Sequence, residues 1–319
     1  MTHTQSVNLS YSRSMAESVA EELRSLCHAD SDISANVPMS GRTTLRVGGP
    51  ADCLVSPANE EDLAAVIQYC NRSGIPWMVL GRGSNLLVRD GGIPGVVIHP
   101  GKPFFQRIEK VGPTSLKCGA GCRLKAIANA ARDFNISGLE FLEGIPGSLG
   151  GALRMNAGAM GGETFDLLES IRFMSPSGEI QELAKSDIAY QYRYCPILVD
   201  HMALSARLTG APGERDLIAA RMGESNRKRW DSQPASPSAG CTFKNPDAIP
   251  AGKLIDSLGL KGLSVGGASV SDVHGNFMVN TGGAKASDFL QLIDIIQKTA
   301  QTMRGISLKT EVQIVGVDA

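Results

Sequence analysis

The stretch that most constrains this chain is Glu143-Gly144-Ile145-Pro146-Gly147-Ser148-Leu149-Gly150-Gly151, which continues into Asn156-Ala157-Gly158-Ala159-Met160-Gly161-Gly162-Glu163. Glycine is placed where the backbone needs a positive φ or where a ligand approaches the main chain closely. A run of N–H groups with no side chains in the way suits a diphosphate. One such loop serves equally well as a tight structural turn. This chain has a second, Gly81-Arg82-Gly83-Ser84-Asn85, behind a short apolar run. The pair predicts one large phosphorylated ligand held between two lobes. Neither loop has the Gly-x-x-x-x-Gly-Lys-Ser/Thr spacing of a P-loop. After Gly81 and Gly83 the third position of Gly-x-Gly-x-x-Gly falls on Leu86, which disfavours a Rossmann site. The residues alone therefore point to a nucleotide-cofactor protein.

Composition narrows the partners. With 319 residues, 42% of them hydrophobic and 20% charged, the chain has the make-up of a soluble protein of two or three domains. A net charge of −1 argues against nucleic-acid binding. No apolar run approaches the ~18 residues of a membrane span. Residues 1–13 are polar, lack the apolar core of a secretory signal and read as a disordered tail. The seven cysteines are odd in number and scattered, which fits a reducing cytoplasm better than a disulfide framework. Cys118 and Cys122 have no nearby His or second Cys pair, so no metal site is expected. A monomer or weak oligomer is expected.

Apolar spacing gives the elements. Helices are predicted over 14–28, with Met15, Val19, Leu23 and Leu26 inward, and over 60–71, with Leu63, Val66, Ile67 and Cys70 inward. Further helices fall at 123–134, 214–230, 251–258 and 287–303. The last is capped by Ser287, turns Leu290, Ile293, Ile296 and Met303 inward, and stops at Gly305. Strands are predicted at 43–49, at 77–80 as a buried strand, and at 95–99, 114–122, 203–208 and within 270–280. Residues 171–183 read as a hairpin about Pro176-Ser177-Gly178. Residues 308–317 end the chain as a strand, with Leu308, Val312 and Ile314 on one face and Lys309, Glu311 and Gln313 on the other. The Pro- and Ser-rich run at 233–238 reads as a loop between domains. The class is α+β.

The order and wording of the motifs resemble the UDP-N-acetylenolpyruvoylglucosamine reductases. The matching pieces span about 38–316: Leu45-Arg46-Val47-Gly48-Gly49, Gly81-Arg82-Gly83-Ser84-Asn85-Leu86, Leu139-Glu140-Phe141 through Glu163, Tyr192-Arg193, Gln233-Pro234, Ser238-Ala239-Gly240-Cys241-Thr242-Phe243-Lys244-Asn245-Pro246, Ala251-Gly252-Lys253-Leu254-Ile255 and Glu311-Val312-Gln313-Ile314-Val315-Gly316. The resemblance implies a two-lobed FAD-binding domain of the vanillyl-alcohol-oxidase type, with lobes over 14–95 and 96–210. It implies a C-terminal α+β substrate domain over 211–306 and a terminal strand, 307–319, that carries Glu311 back to the active site. It further implies NADPH-dependent reduction of the enolpyruvyl group of a UDP-sugar to UDP-N-acetylmuramate, for peptidoglycan. FAD would contact Gly81, Arg82, Gly83, Ser84, Asn85 and Leu86 on one side, and Gly147, Ser148 and Gly151 on the other. Asn156, Ala157 and Gly158 would line the flavin.

The same resemblance implies roles for three residues in the chemistry. Hydride from flavin N5 to C3 leaves negative charge spread toward C2 and the carboxylate. Arg193 and Glu311 match the residues that hold and polarise that carboxylate. The proton donor to C2 is Ser in much of the family; here the position is Cys241. A thiol with an ordinary pKa of ~8.5 is still protonated at neutral pH and is a stronger acid than a hydroxyl. Substrate contacts are implied for Tyr192, Arg229, Asn245 and Lys253. Ser232 stands where some relatives carry Lys, and no Tyr-bearing insertion lies between Leu208 and Ser238, so the chain matches the shorter subgroup. Two rival readings are another FAD-linked oxidase or dehydrogenase of the same fold, and a non-catalytic flavin- or UDP-sugar-binding regulator.

Overall fold

The computed structural model describes residues 13–319. The tail expected over 1–13 lies outside them, apart from Arg13, which opens the first helix. The first lobe runs α1 (Arg13–Leu26), β1 (Asp32–Pro38), β2 (Pro50–Ser56), α2 (Glu60–Arg72), β3 (Trp77–Val79), β4 (Leu86–Val88) and β5 (Ile93–Ile98). Its sheet has the order β1-β2-β5-β3, with β1 antiparallel to β2 and the other pairings parallel. Helix α2 forms where its spacing predicts. The Asn59 side chain accepts the Asp62 N–H at its start, and Leu63, Val66, Ile67 and Cys70 are buried. Helix α1 forms too, but Ala16, Ala20 and Leu23 make its buried stripe, while Met15 and Leu26 are exposed. Strand β3 is not buried as expected: it is the sheet edge, and Val79 is exposed.

The second lobe runs β6 (Ile108–Lys110), β7 (Ser115–Gly119), α3 (Leu124–Asp133), β8 (Ile136–Ser137), α4 (Leu149–Arg154), β9 (Gly158–Ala159), β10 (Gly162–Glu163), β11 (Leu168–Met174), β12 (Ile180–Ala184), β13 (Met202–Thr209), β14 (Ala211–Pro212) and α5 (Arg215–Ser232). Five strands form an antiparallel sheet in the order β12-β11-β13-β7-β6, and β8 pairs with β14 and β9 with β10. The hairpin about Pro176-Ser177-Gly178 is β11–β12. Ile218 and Met222 of α5 join this lobe's core, so the helix packs here rather than with the third unit. Met174, Met202 and Leu204 reach into the first lobe's core, and Arg172 grips Glu60 through both guanidinium nitrogens. These contacts fix the lobes against each other.

The third unit runs β15 (Ser238–Cys241), α6 (Ala251–Ser257), β16 (Ser264–Val265), β17 (Ala268–Val270), β18 (Phe277–Asn280), α7 (Ala286–Arg304) and β19 (Gln313–Val315). An antiparallel sheet, β15-β18-β17-β16, is covered by α7 through Phe289, Leu292, Ile293 and Ile296. Ser287 is not the cap of α7. The Asp90 carboxylate, from the first lobe, accepts the N–H groups of Ala286 and Ser287 at 2.8 and 2.9 Å. Met303, expected inward, is exposed in the last turn, and Gly305 closes the helix in the left-handed region. Residues 43–49 are not a strand, because Arg46 sits at φ +58 and the Thr43 hydroxyl turns back to the Val47 carbonyl. The turn drives Leu45 and Val47 into the core of the third unit. The chain end returns to the first lobe as β19, parallel to β4, with Gln313 opposite Leu86.

Candidate active site

All three units open onto one cleft of about 1060 Å³. Both glycine loops line it: residues 81–86 from the first lobe, and 144–148 with Gly150 and Gly151 from the second. They face each other at close range. A Cβ on Gly81 would stand 2.6 Å from the Ser148 Oγ. Gly83 holds φ +61, and a Cβ there would strike the backbone of residues 42 and 43. Among the described residues, no protein acceptor takes the backbone N–H groups of residues 81–85, or those of Gly147 and Ser148. The Ser148 Oγ is likewise buried without a partner. Buried polar groups are otherwise almost always satisfied. Free donors on a side-chain-poor surface fit the oxygens of a diphosphate, so the cradle suits FAD.

Of the expected flavin contacts, Ala157 and Gly158 line the cleft and Asn156 does not. At φ 38, Asn156 turns its side chain inward. Its Nδ2 donates to Glu163 at 2.7 Å and its Oδ1 accepts the Phe165 N–H at 3.1 Å. Asn85 lines the cleft, but its Nδ2 donates to the Glu311 carbonyl at 3.1 Å. It ties the first glycine loop to the returning chain end. Arg82 also faces the cleft, its pKa held down by burial and by neighbouring Arg123.

Arg193, Cys241 and Glu311 come together on the cleft wall from three distant parts of the chain. Arg193 Nε donates to Glu311 Oε1 at 2.8 Å, and its Nη1 donates to the Asn156 carbonyl at 3.2 Å. The two side chains are only 17% and 15% exposed. The other guanidinium N–H groups remain for a ligand. Tyr192 is not in the wall, but its ring lies 4.7 Å under the Arg193 guanidinium. Cys241 ends β15 behind Gly240 at φ +77. Its thiol is pushed up to about 12, chiefly by burial and next by the Glu311 charge. Arg193 and a hydrogen bond from Asn276 pull the other way. The group is therefore a protonated thiol across the neutral range.

Arg229 lines the cleft, with Nε 3.3 Å from Gln233 and its pKa lowered by burial. Asn245 and Lys253 do not reach it. The Asn245 Oδ1 accepts the Ala251 N–H at 3.0 Å and so caps α6, and Lys253 is on that helix's exposed side. Sequence reasoning missed Thr44, which joins loop and third unit through the Gly83 and Ser238 carbonyls. It also missed Trp77, Met78, Val199, Asp200 and His201, which line the same cleft. The His201 Nδ1 is buried there without a protein partner, its ring edge-on to Phe173. No motif marks these residues, because each arrives from a separate element.

Comparison with known proteins follows the same division. An FAD binding domain family matches residues 51–184, and the family described as the C-terminal domain of UDP-N-acetylenolpyruvoylglucosamine reductase matches 233–315. A UDP-N-acetylenolpyruvoylglucosamine reductase of Clostridium novyi is 42% identical over 292 residues, 90% of this chain and 94% of that one. One of Listeria monocytogenes is 43% identical over 288 residues, 90% of this chain and 96% of that one. The crystal structure of the enzyme of that name from Thermus caldophilus superposes with a TM-score of 0.79 at 36% identity, covering 90% of this chain and 100% of the other.

Proposed function

This chain belongs to the UDP-N-acetylenolpyruvoylglucosamine reductases, FAD-dependent oxidoreductases of peptidoglycan synthesis, and on that premise we propose that Cys241 is its proton donor and that Arg193 and Glu311 hold the substrate carboxylate. When bound, FAD would supply the hydride chemistry between NADPH and the enolpyruvyl group. Residues 81–85, Gly147 and Ser148 would hold its diphosphate through their free N–H and hydroxyl groups.

As charge develops on the substrate, Arg193 meets the carboxylate with its remaining N–H donors. Glu311 fixes the guanidinium plane through Nε, and Tyr192 supports its face. Cys241, a neutral thiol facing the cleft, gives its proton to C2, and the resulting thiolate recovers a proton from solvent. The observation that carries the reading is the convergence of Arg193, Glu311 and a protonated Cys241 on a cleft that the diphosphate cradle also lines. Arg229, which also lines the cleft, would support a substrate phosphate. Seven unpaired cysteines support a reducing, cytoplasmic setting. Among the described residues, no helix is long and apolar enough to cross a membrane.

Stopped-flow spectroscopy separates the half-reactions. NADPH bleaches the flavin and the enolpyruvyl UDP-sugar restores it. Cys241→Ala is expected to leave bleaching intact and slow restoration by roughly 10²-fold or more, as removal of a general acid does. Cys241→Ser keeps restoration. An unslowed Cys241→Ala rejects the assignment.

A further inference from the structure

Residues 241–243 are held from both sides. On one side the Thr242 carbonyl accepts the Glu311 N–H at 2.8 Å, and Lys244 N donates to the Lys309 carbonyl at 2.9 Å. This places Cys241 and Glu311 in fixed relation. On the other side stands Asn276, 2% exposed, just before β18. Its Oδ1 accepts the Phe243 N–H at 2.9 Å, its Nδ2 donates to the Phe243 carbonyl at 2.8 Å, and its own carbonyl accepts the Thr242 N–H at 2.8 Å. Its backbone N–H is held in turn by His274 Nδ1 at 3.1 Å. A carboxamide that spends both ends on one neighbouring residue is set in a single rotamer.

We propose that Asn276 is a positioning residue for proton donation: it locks the backbone that aims the Cys241 thiol. The proposal rests on the reading that Cys241 is the donor, and the lock fixes the direction from which its Sγ meets the substrate carbon. Loss of the clamp on Thr242 and Phe243 frees the backbone next to Cys241, and a donor displaced by about an ångström transfers its proton far more slowly.

The test uses the FAD-loaded, full-length protein carrying Asn276→Ala, Cys241→Ala, or both. Asn276→Ala is expected to slow restoration of the flavin by the enolpyruvyl UDP-sugar at least about tenfold, the cost of a reacting group held slightly out of place. Bleaching by NADPH stays within about twofold, the mark of an effect confined to one step. In the Cys241→Ala background the same change costs nothing further, since the partner through which it acts is gone. Equal slowing in both backgrounds, or of both half-reactions, overturns the proposal. An unslowed Cys241→Ala instead overturns the donor reading. Asn276→Asp, which keeps the acceptor for the Phe243 N–H and lacks the donor to the Phe243 carbonyl, serves if the alanine variant does not fold. Iodoacetamide labelling of Cys241, followed by mass spectrometry, reads the presentation of the thiol without turnover. Its rate should change severalfold in either variant, because the freed segment no longer holds the sulfur in one place; an unchanged rate overturns the role.

Discussion

Gly83→Ala probes the diphosphate cradle at its least forgiving point. The new Cβ would overlap the Arg42 carbonyl oxygen and come within 2.8 Å of the Thr43 Cα. Both obstacles are backbone, so no rotamer change relieves them. Nor can residues 42–44 retreat, because Thr44 N donates to the Gly83 carbonyl at 3.2 Å and Thr44 Oγ1 to the Ser238 carbonyl at 2.7 Å. The loop must therefore move, or leave φ +61. Left-handed backbone costs a non-glycine residue about 1–2 kcal/mol, and overpacking a further ~1–3 kcal/mol. A combined cost of about 3 kcal/mol, expressed in the ligand-free donors of residues 81–85, is roughly a 10²-fold loss of FAD affinity. The assay is a fluorescence titration of apoprotein with FAD, beside circular-dichroism melting to show that the fold survives. Gly41→Ala is the matched control: its Cβ meets nothing within 4 Å, so affinity and melting should not change. Wild-type FAD affinity in Gly83→Ala would refute the view that backbone contact fixes this loop.

Three further outcomes test other parts of the molecule. Arg193→Lys should lower kcat/KM about 10²-fold or more, because a single ammonium cannot keep the Nε bond to Glu311 and also grip a carboxylate in two places; near-normal turnover would count against carboxylate binding. Asp90→Ala removes the cap of α7 and should cost about 0.5–2 kcal/mol by denaturant unfolding. Burial alone would raise the Asp90 pKa, but the Ser287 and Ala286 N–H groups hold it below the ordinary carboxylate range. Its contribution is thus full above the unfolded value of ~3.9 and is lost as pH falls through the lower folded value. The gap between wild type and variant should be constant from neutral pH to about 4 and close below that; a gap unchanged at pH 2 contradicts the charge-based cap. Gly223→Ala, at an exposed site in α5 where a Cβ meets nothing, should stabilise the protein by about 0.5–1 kcal/mol through helix propensity alone. No shift in the denaturation midpoint would mean that this turn is not helical in solution.

What was legible in the sequence was whatever is decided by neighbours along the chain. Helix α2 has its cap, its apolar stripe and its glycine stop within fifteen or so residues, and it forms as read. The two glycine loops were legible for the same reason, since the need for bare backbone is written in the residues that supply it. Side-chain direction was not legible. Asn156 sits inside the flavin motif, yet its left-handed φ turns the amide toward Glu163 and Phe165 and makes it a brace for the loop. Asn245 carries a structural duty that its motif does not announce, since its Oδ1 caps α6. The cap of α7 comes from Asp90, 196 residues away, where no periodicity reaches.

The most instructive case is Cys241. Read as a residue type, a thiol is a stronger acid than the hydroxyl usual at this position, which makes donation easier. The site nevertheless makes it a weak acid, because burial and the Glu311 charge push the thiol up to about 12. A donor that weak would deliver its proton slowly unless the groups around it favour the anion left behind. Arg193, from the loop before β13, and Asn276, at the leading edge of β18, are the two that pull the thiol's pKa back down. The acidity that matters for the reaction therefore belongs to the arrangement rather than to the cysteine. Exchanging Cys for Ser within that arrangement should change the rate less than disturbing either neighbour, and comparing Cys241→Ser with Asn276→Ala in the restoration half-reaction ranks the two effects directly.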